Sequence, residues 1–183
     1  MKREAIGLVE TISIAMGVRV TDEMAKTADI EVLESTAICP GKYMVLIAGD
    51  VSSVESALAK GELAGGNTVV DTLFIPHVHP QVFPAILGAT EVAELRALGV
   101  LETFTVASTI LAADAAAKAA PVELLEIRLA KGLGGKAFFT MTGEVYEIEA
   151  AMDAGLEMAK KSGNLVRSVV IPRPHNDLGT FLL

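Results

Sequence analysis

The run Ala5-Ile6-Gly7-Leu8-Val9-Glu10-Thr11 returns later in the chain as Ala97-Leu98-Gly99-Val100-Leu101-Glu102-Thr103, an offset of 92 positions. At that offset 12 of the 30 positions from Ala5 to Glu34 are identical, among them Asp22 and Asp114, Lys26 and Lys118, Glu31 and Glu123, Glu34 and Glu126. The offset grows to 94 at Gly41-Lys42 and Gly135-Lys136 and holds at Gly49-Asp50-Val51 and Gly143-Glu144-Val145. It reaches 96 at Ile75-Pro76 and Ile171-Pro172. Both length changes fall at glycine-rich positions, where surface loops accept insertions. An ordered series of matches of this kind marks an internal duplication. The 183 residues therefore divide into two small domains, 1–94 and 95–183, with the boundary near Glu94 and no low-complexity linker.

Each half reads as strand, helix, strand, strand, helix, strand. Ala5 to Ile14 is rich in β-formers. Thr21 is an N-cap candidate for a helix over Asp22 to Ala28, where Ala, Met and Lys favour helix. Glu31 to Ile38 begins with alternating charged and apolar residues, as a strand with one wet face does. Cys39-Pro40-Gly41 is a turn, and Lys42 to Ala48 is an apolar strand ended by Gly49-Asp50. Ser52 and Ser53 are cap candidates for a helix to about Ala64, with Val54, Ala57, Leu58 and Leu63 on one stripe. Gly65-Gly66 stops it, and Thr68 to Ile75 is the fourth strand. The second half repeats the order, with Val145 to Lys161 as its long helix. This is the α/β (α+β) class: two tandem ferredoxin-like βαββαβ units. Such a fold hosts many functions and decides none.

Composition narrows the classes. Hydrophobic residues make up 51% and mean hydropathy is +0.49. Yet the longest apolar run, Thr103 to Ala113, is bounded by Glu102 and Asp114 and falls short of the roughly 18 residues a membrane helix needs. The apolar excess is aliphatic, with only 4% aromatics, and suits a core and extensive subunit contacts. A net charge of −8 lacks the basic footprint of nucleic-acid binding. Met1-Lys2-Arg3-Glu4 leads into a strand without the apolar region of a secretory signal. The single cysteine cannot form an intrachain disulfide, which points to a reducing cytosol.

The ordered motifs carry a resemblance. An Ala-x-Gly-x-x-Glu-Thr opening, an Asp-x-x-x-Lys helix, a Gly-Lys strand start and a Gly-Asp/Glu-Val helix start resemble the bacterial microcompartment shell domain over nearly the whole chain. Two copies resemble its tandem form, a trimer shaped like a hexamer. Ile38-Cys39-Pro40-Gly41-Lys42 and Ile171-Pro172-Arg173-Pro174-His175 look most like the propanediol-utilisation type. The resemblance implies a structural, non-enzymatic role in the shell of a cytoplasmic protein organelle. It implies a homotrimer that packs edge to edge with other shell proteins around a central pore. Ile38, Cys39, Pro40 and Gly41 are then expected to line that pore, with Lys131, Gly132, Leu133, Gly134 and Gly135 from the second repeat. Lys26 and Lys118 match the shell-edge lysine, and Arg173-Pro174-His175 matches the edge motif, with His79 aligned to His175. The first repeat departs from that motif with His77-Val78-His79. In the propanediol-utilisation type, the pore cysteine holds an iron–sulfur cluster on the three-fold axis. The resemblance thus implies one [4Fe-4S] cluster per trimer through Cys39, electron transfer across the shell, and an encapsulated redox enzyme as partner.

Each residue also has a plainer reading. A lone cysteine usually behaves as a small buried hydrophobe, although a turn is an unusual place for one. A three-fold ring converts one thiol into three, and a cubane needs four ligands, so one iron would take a solvent or small-molecule ligand. An empty, gated metabolite pore is the metal-free alternative. Gly132-Leu133-Gly134-Gly135 resembles part of a dinucleotide fingerprint, but strand-like Ala137-Phe138-Phe139 follows where a helix is required. His77 and His79 would share a face in a strand and could chelate a metal, though no third ligand accompanies them. Glu10-Thr11 and Glu102-Thr103 recur without a nucleophile, which favours a structural role over acid–base chemistry. A trimeric small-molecule-binding regulator on the same scaffold is the rival from another class.

Overall fold

The computed structural model describes residues 3–90 and 94–178. Residues 91–93, just before the expected domain boundary, lie outside the described set, as do residues 1–2 and 179–183. The chain forms two compact units, Met1–Val78 and His79–Leu183.

In the first unit the elements are β1 (Ala5–Thr11), α1 (Ile14–Thr27), β2 (Glu31–Ile38), β3 (Lys42–Gly49), α2 (Val51–Gly65) and β4 (Val69–Ile75). The sheet order is β2-β3-β1-β4, every pair antiparallel. The second unit begins with a short helix, α3 (Val82–Leu87), and then repeats the plan. Its elements are β5 (Ala97–Thr103), α4 (Val106–Ala119), β6 (Glu123–Arg128), β7 (Ala137–Gly143), α5 (Val145–Lys161) and β8 (Leu165–Ile171). Its sheet order, β6-β7-β5-β8, is the same. The duplication extends to irregularities. The register shifts between Glu10 and Thr11 and between Glu102 and Thr103, and again between Val32 and Glu34 and between Leu124 and Glu126.

Every residue of β1 is buried, as the centre of a four-stranded sheet requires. On the helix side Ala5, Val9, Val45 and Ile47 meet Val20 and Met24 of α1 and Val54, Ala57 and Leu58 of α2. Fully burying each large aliphatic side chain contributes roughly 1.5–3 kcal/mol. Close helix approach depends on glycine. A Cβ on Gly7 would fall 2.9 Å from Leu58 and Val54, and one on Gly61 would fall 2.7 Å from the Met24 sulfur.

Three local expectations are corrected. The first helix starts at Ile14, not Asp22, and its cap is Ser13, whose Oγ accepts from the Met16 N–H at 3.3 Å. Thr21 sits inside that helix, and its hydroxyl donates back to the Gly17 carbonyl at 3.0 Å. The apolar Ile12 and Ile14 disguised the start, because β-branched residues read as strand. The second helix is capped by Asp50 rather than Ser52 or Ser53. Its carboxylate accepts the Ser53 N–H at 2.9 Å and both serine hydroxyls, which holds its pKa at about 2. Leu63 is not part of the buried stripe, being 77% exposed.

Candidate functional site

In each unit a loop joins an edge strand to its inner neighbour, β2 to β3 in the first and β6 to β7 in the second. The first is the shorter. Ile38 ends β2 with its side chain buried, so what it offers the loop is its carbonyl, which accepts from the Gly41 N–H at 3.0 Å. That bond closes a turn holding Cys39 half-buried and Pro40 and Gly41 exposed, with a cis Cys39–Pro40 peptide. Gly41 has φ of 80°, a left-handed conformation open to glycine without strain. Cys39 is therefore a presented thiol rather than a core one.

The second loop runs from 129 to 136 between β6 and β7. Leu129 and Ala130 are buried, whereas Lys131, Gly132 and Gly134 stand in solvent. Gly132, Gly134 and Gly135 have φ of 72°, 63° and 91°, and the Lys136 N–H closes the loop on the Leu133 carbonyl at 3.2 Å. No helix follows these glycines, so there is no N-terminus to face a pyrophosphate. Three left-handed residues in a row of four instead turn backbone groups outward.

An ion pair stands beneath each loop. Lys42 Nζ contacts Glu10 Oε2 at 3.1 Å, and Lys136 pairs with Glu102. Glu10 is the buried member, 1% exposed, with Oε1 lacking a partner. Burial pushes its carboxyl pKa up, Lys42 pulls it down, and the neighbouring Asp71 adds to the rise. Sequence reasoning treated Glu10-Thr11 and Gly41-Lys42 as separate motifs. The signal that joins them was their joint repetition at Glu102 and Lys136.

The remaining expected residues lie elsewhere. Lys26 pairs with Asp22, and Lys118 with Asp114, each at 2.6 Å across one helical turn. Arg173 and His175 are exposed beyond β8, where the His175 Nδ1 lies 3.5 Å from Asp177. The His77–His79 chelate loses its premise. The strand ends at Ile75, His77 has φ of 57°, and the two side chains do not share a strand face. His79 instead donates its N–H to Asp114 at 2.7 Å. Among the described residues, no group of three or more His, Cys, Asp or Glu is placed to hold a metal ion. No described helix is long and apolar enough to cross a membrane.

The repeated unit with its loop matches a known family. The BMC domain matches twice, over residues 5–78 and 97–174. The chain belongs to the BMC-domain family of bacterial microcompartment shell proteins. It is 41% identical to the shell protein PduT of Citrobacter freundii, over 96% of this chain and 95% of that one. The shell protein EutM of Salmonella typhimurium is 44% identical over 85 residues, 46% of this chain and 85% of that one. A crystal structure of a microcompartment protein from Desulfitobacterium hafniense superposes with a TM-score of 0.93 and 47% identity, covering 98% of this chain and 99% of that one. As a tandem BMC-domain protein, the chain is a structural component of a microcompartment shell and not an enzyme.

Proposed function

We propose that three copies of this chain close into a ring that tiles the shell, and that Cys39 from each copy converges on a shared pore to hold one [4Fe-4S] cluster. The observation that carries the reading is the placement of Cys39, a half-buried thiol on the turn between β2 and β3 rather than within an element. One chain supplies one thiolate, too few for a cluster, so the donor set fits only if symmetry multiplies it. A cluster bound there would supply one-electron transfer across the shell wall. The chain's own part is to present the thiol on a closed turn and to set the local field through the Glu10–Lys42 pair. The loop Lys131–Gly135, exposed at Lys131, Gly132 and Gly134, forms the remainder of the pore rim. Lys26, Lys118, Arg173 and His175 are exposed and serve the edges that meet neighbouring tiles.

Anaerobic purification followed by iron analysis tests this reading. The expected result is a brown protein with about four irons per three chains, lost in Cys39→Ala with the oligomer intact. An anaerobic preparation of the same oligomer without iron or colour overturns the cluster. It leaves the ring as a metal-free conduit, gated by the glycine-rich loop.

A further inference from the structure

The two repeats place different charges on the same rung of their sheets. In the first, Glu10 of β1 lies directly opposite Asp71 of β4. In the second, Glu102 of β5 lies opposite Arg167 of β8, so an arginine stands where the first repeat has an aspartate. Directly opposite residues of an antiparallel pair share a face with Cβ atoms about 5 Å apart, and like charges there repel. Each rung also receives one lysine from the inner strand, Lys42 on Glu10 and Lys136 on Glu102. The second repeat thus sets two cations against one carboxylate, and the first sets one cation against two.

Burial makes the excess carboxylate costly. The Glu10 side chain is 1% exposed, against 29% for Glu102. Its Oε2 accepts from Lys42 at 3.1 Å, and its Oε1 has no partner. Asp71 is half-buried and uses one oxygen to accept the Thr72 N–H at 2.9 Å. Lys42 from β3 and Asp71 from β4 are the charged groups that act on Glu10, and Lys42 is the cation that acts on both carboxyls. Burial raises the pKa of both; Lys42 opposes that rise at each, as the Thr72 N–H does at Asp71. A buried carboxylate oxygen without a donor, opposite a second carboxylate, calls for a positive counterpart. A divalent ion takes about six oxygens, and among the described residues no group of three or more His, Cys, Asp or Glu is placed to hold a metal. A proton needs only the two carboxyls.

We propose that Glu10 and Asp71 share one proton at neutral pH and form a proton-exchange site beneath the Cys39 turn. The proton sits on Glu10 Oε1, which donates to the second oxygen of Asp71, while Glu10 Oε2 keeps Lys42. The orphan atom gains its partner, and the three side chains together carry no net charge. The two carboxyls titrate as a unit. When the pair ionises, its proton passes to water and one negative charge remains at the base of the turn. Lys42 links the two places, because it opens β3 one residue after Gly41 and its ammonium reaches Glu10. The second repeat has no such site, since Arg167 replaces the second carboxyl. Three such sites surround the pore in the ring proposed above, a step that rests on that reading; the proton pair itself needs only one chain.

Infrared spectroscopy of the whole protein tests the site. The expected result at neutral pH is the carbonyl absorption of a protonated carboxyl, distinct from that of carboxylate, which disappears on raising the pH to about 9. Glu10→Gln and Asp71→Arg should each remove it, and the second copies the pairing that Glu102 and Arg167 already make in the same fold. No such absorption in the parent at neutral pH, or one that survives both substitutions, overturns the proposal. A missing absorption leaves the iron analysis standing, and an iron-free anaerobic protein leaves the proton pair standing. The charge at the turn is read through Cys39 in iron-free protein. An aromatic disulfide carrying carboxylates and its neutral pyridyl counterpart attack the same thiolate, so thiol ionisation cancels in the ratio of their rates. That ratio should fall about twofold between about pH 6 and about pH 9 in the parent, the effect of one unit charge at roughly 10 Å in water, and stay flat in Asp71→Arg. A ratio that stays flat in the parent, or falls equally in both proteins, overturns the link to the turn.

Discussion

In the first repeat Gly17 packs against Tyr43; in the second the same two positions hold Thr109 and Ala137. A Cβ on Gly17 would fall 2.3 Å from the Tyr43 ring, so the large residue on β3 demands none on α1. The polar groups are exchanged in the same way. The Tyr43 hydroxyl joins Ser35 at 2.9 Å, which joins Thr21 at 2.8 Å, where the second repeat has Ala137, Ile127 and Ala113. The second repeat instead pairs Thr103 with Thr109 at 2.6 Å. One backbone plan thus carries two cores, each closed by its own volume and hydrogen-bond balance. Cores tolerate such exchanges only when both partners change together.

The widest break in this comparison should come from Gly17→Thr, which copies the second repeat at one position alone. It is expected to cost about 3 kcal/mol by overpacking, and Gly17→Thr with Tyr43→Ala should recover most of the loss in a denaturant double-mutant cycle. Next, the two ion pairs beneath the loops should prove unequal. Lys42→Met strands the buried Glu10 carboxylate and should cost about 2 kcal/mol, discounted because Lys42 is partly exposed. Lys136→Met should cost less than about 1 kcal/mol, since both its partners reach solvent. The Lys42→Met deficit has a sign in pH. The Glu10 pKa is raised in the folded chain, so its effect is harmless below the unfolded value of about 4.3 and grows as pH rises through the folded value. Denaturation midpoints of the variant and parent should therefore converge toward pH 4.

Tyr43→Phe should cost about 1 kcal/mol by ending the hydroxyl chain that only the first repeat has, read from the same denaturation curves. The smallest effect concerns the helix starts, where Asp50 caps α2 and a Glu144–Glu147 capping box opens α5. The Asp50 pKa is lowered to about 2, so its contribution is present above the unfolded value of about 3.9 and is lost as pH falls toward 2. Asp50→Asn should flatten the dependence of Tm on pH in that window, as differential scanning calorimetry would show.

The loops were read from sequence more easily than what supports them. Cys39-Pro40-Gly41 and Gly132-Leu133-Gly134-Gly135 declare themselves because proline and glycine restrict or free the backbone locally. The burial of Glu10 beside Lys42 was not legible, because the two are far apart in the chain and meet only through strand pairing. The start of α1 was misread for a related reason. Ile12 and Ile14 continue the β-rich composition of β1, and only the Ser13 side chain reveals the cap.

Sequence by itself determined the duplication, the βαββαβ order of each half and the turn that carries the one thiol. Those follow from local periodicity, from punctuation by glycine and proline, and from self-similarity along the chain. Tertiary structure alone decided which copy of each repeated feature is covered: Asp114 and Leu124 lie beneath the stretch after β4, while Asp22 and Val32 stay open. The physical reason is that burial depends on what packs from elsewhere in space, and two nearly identical segments with different neighbours carry the same local pattern.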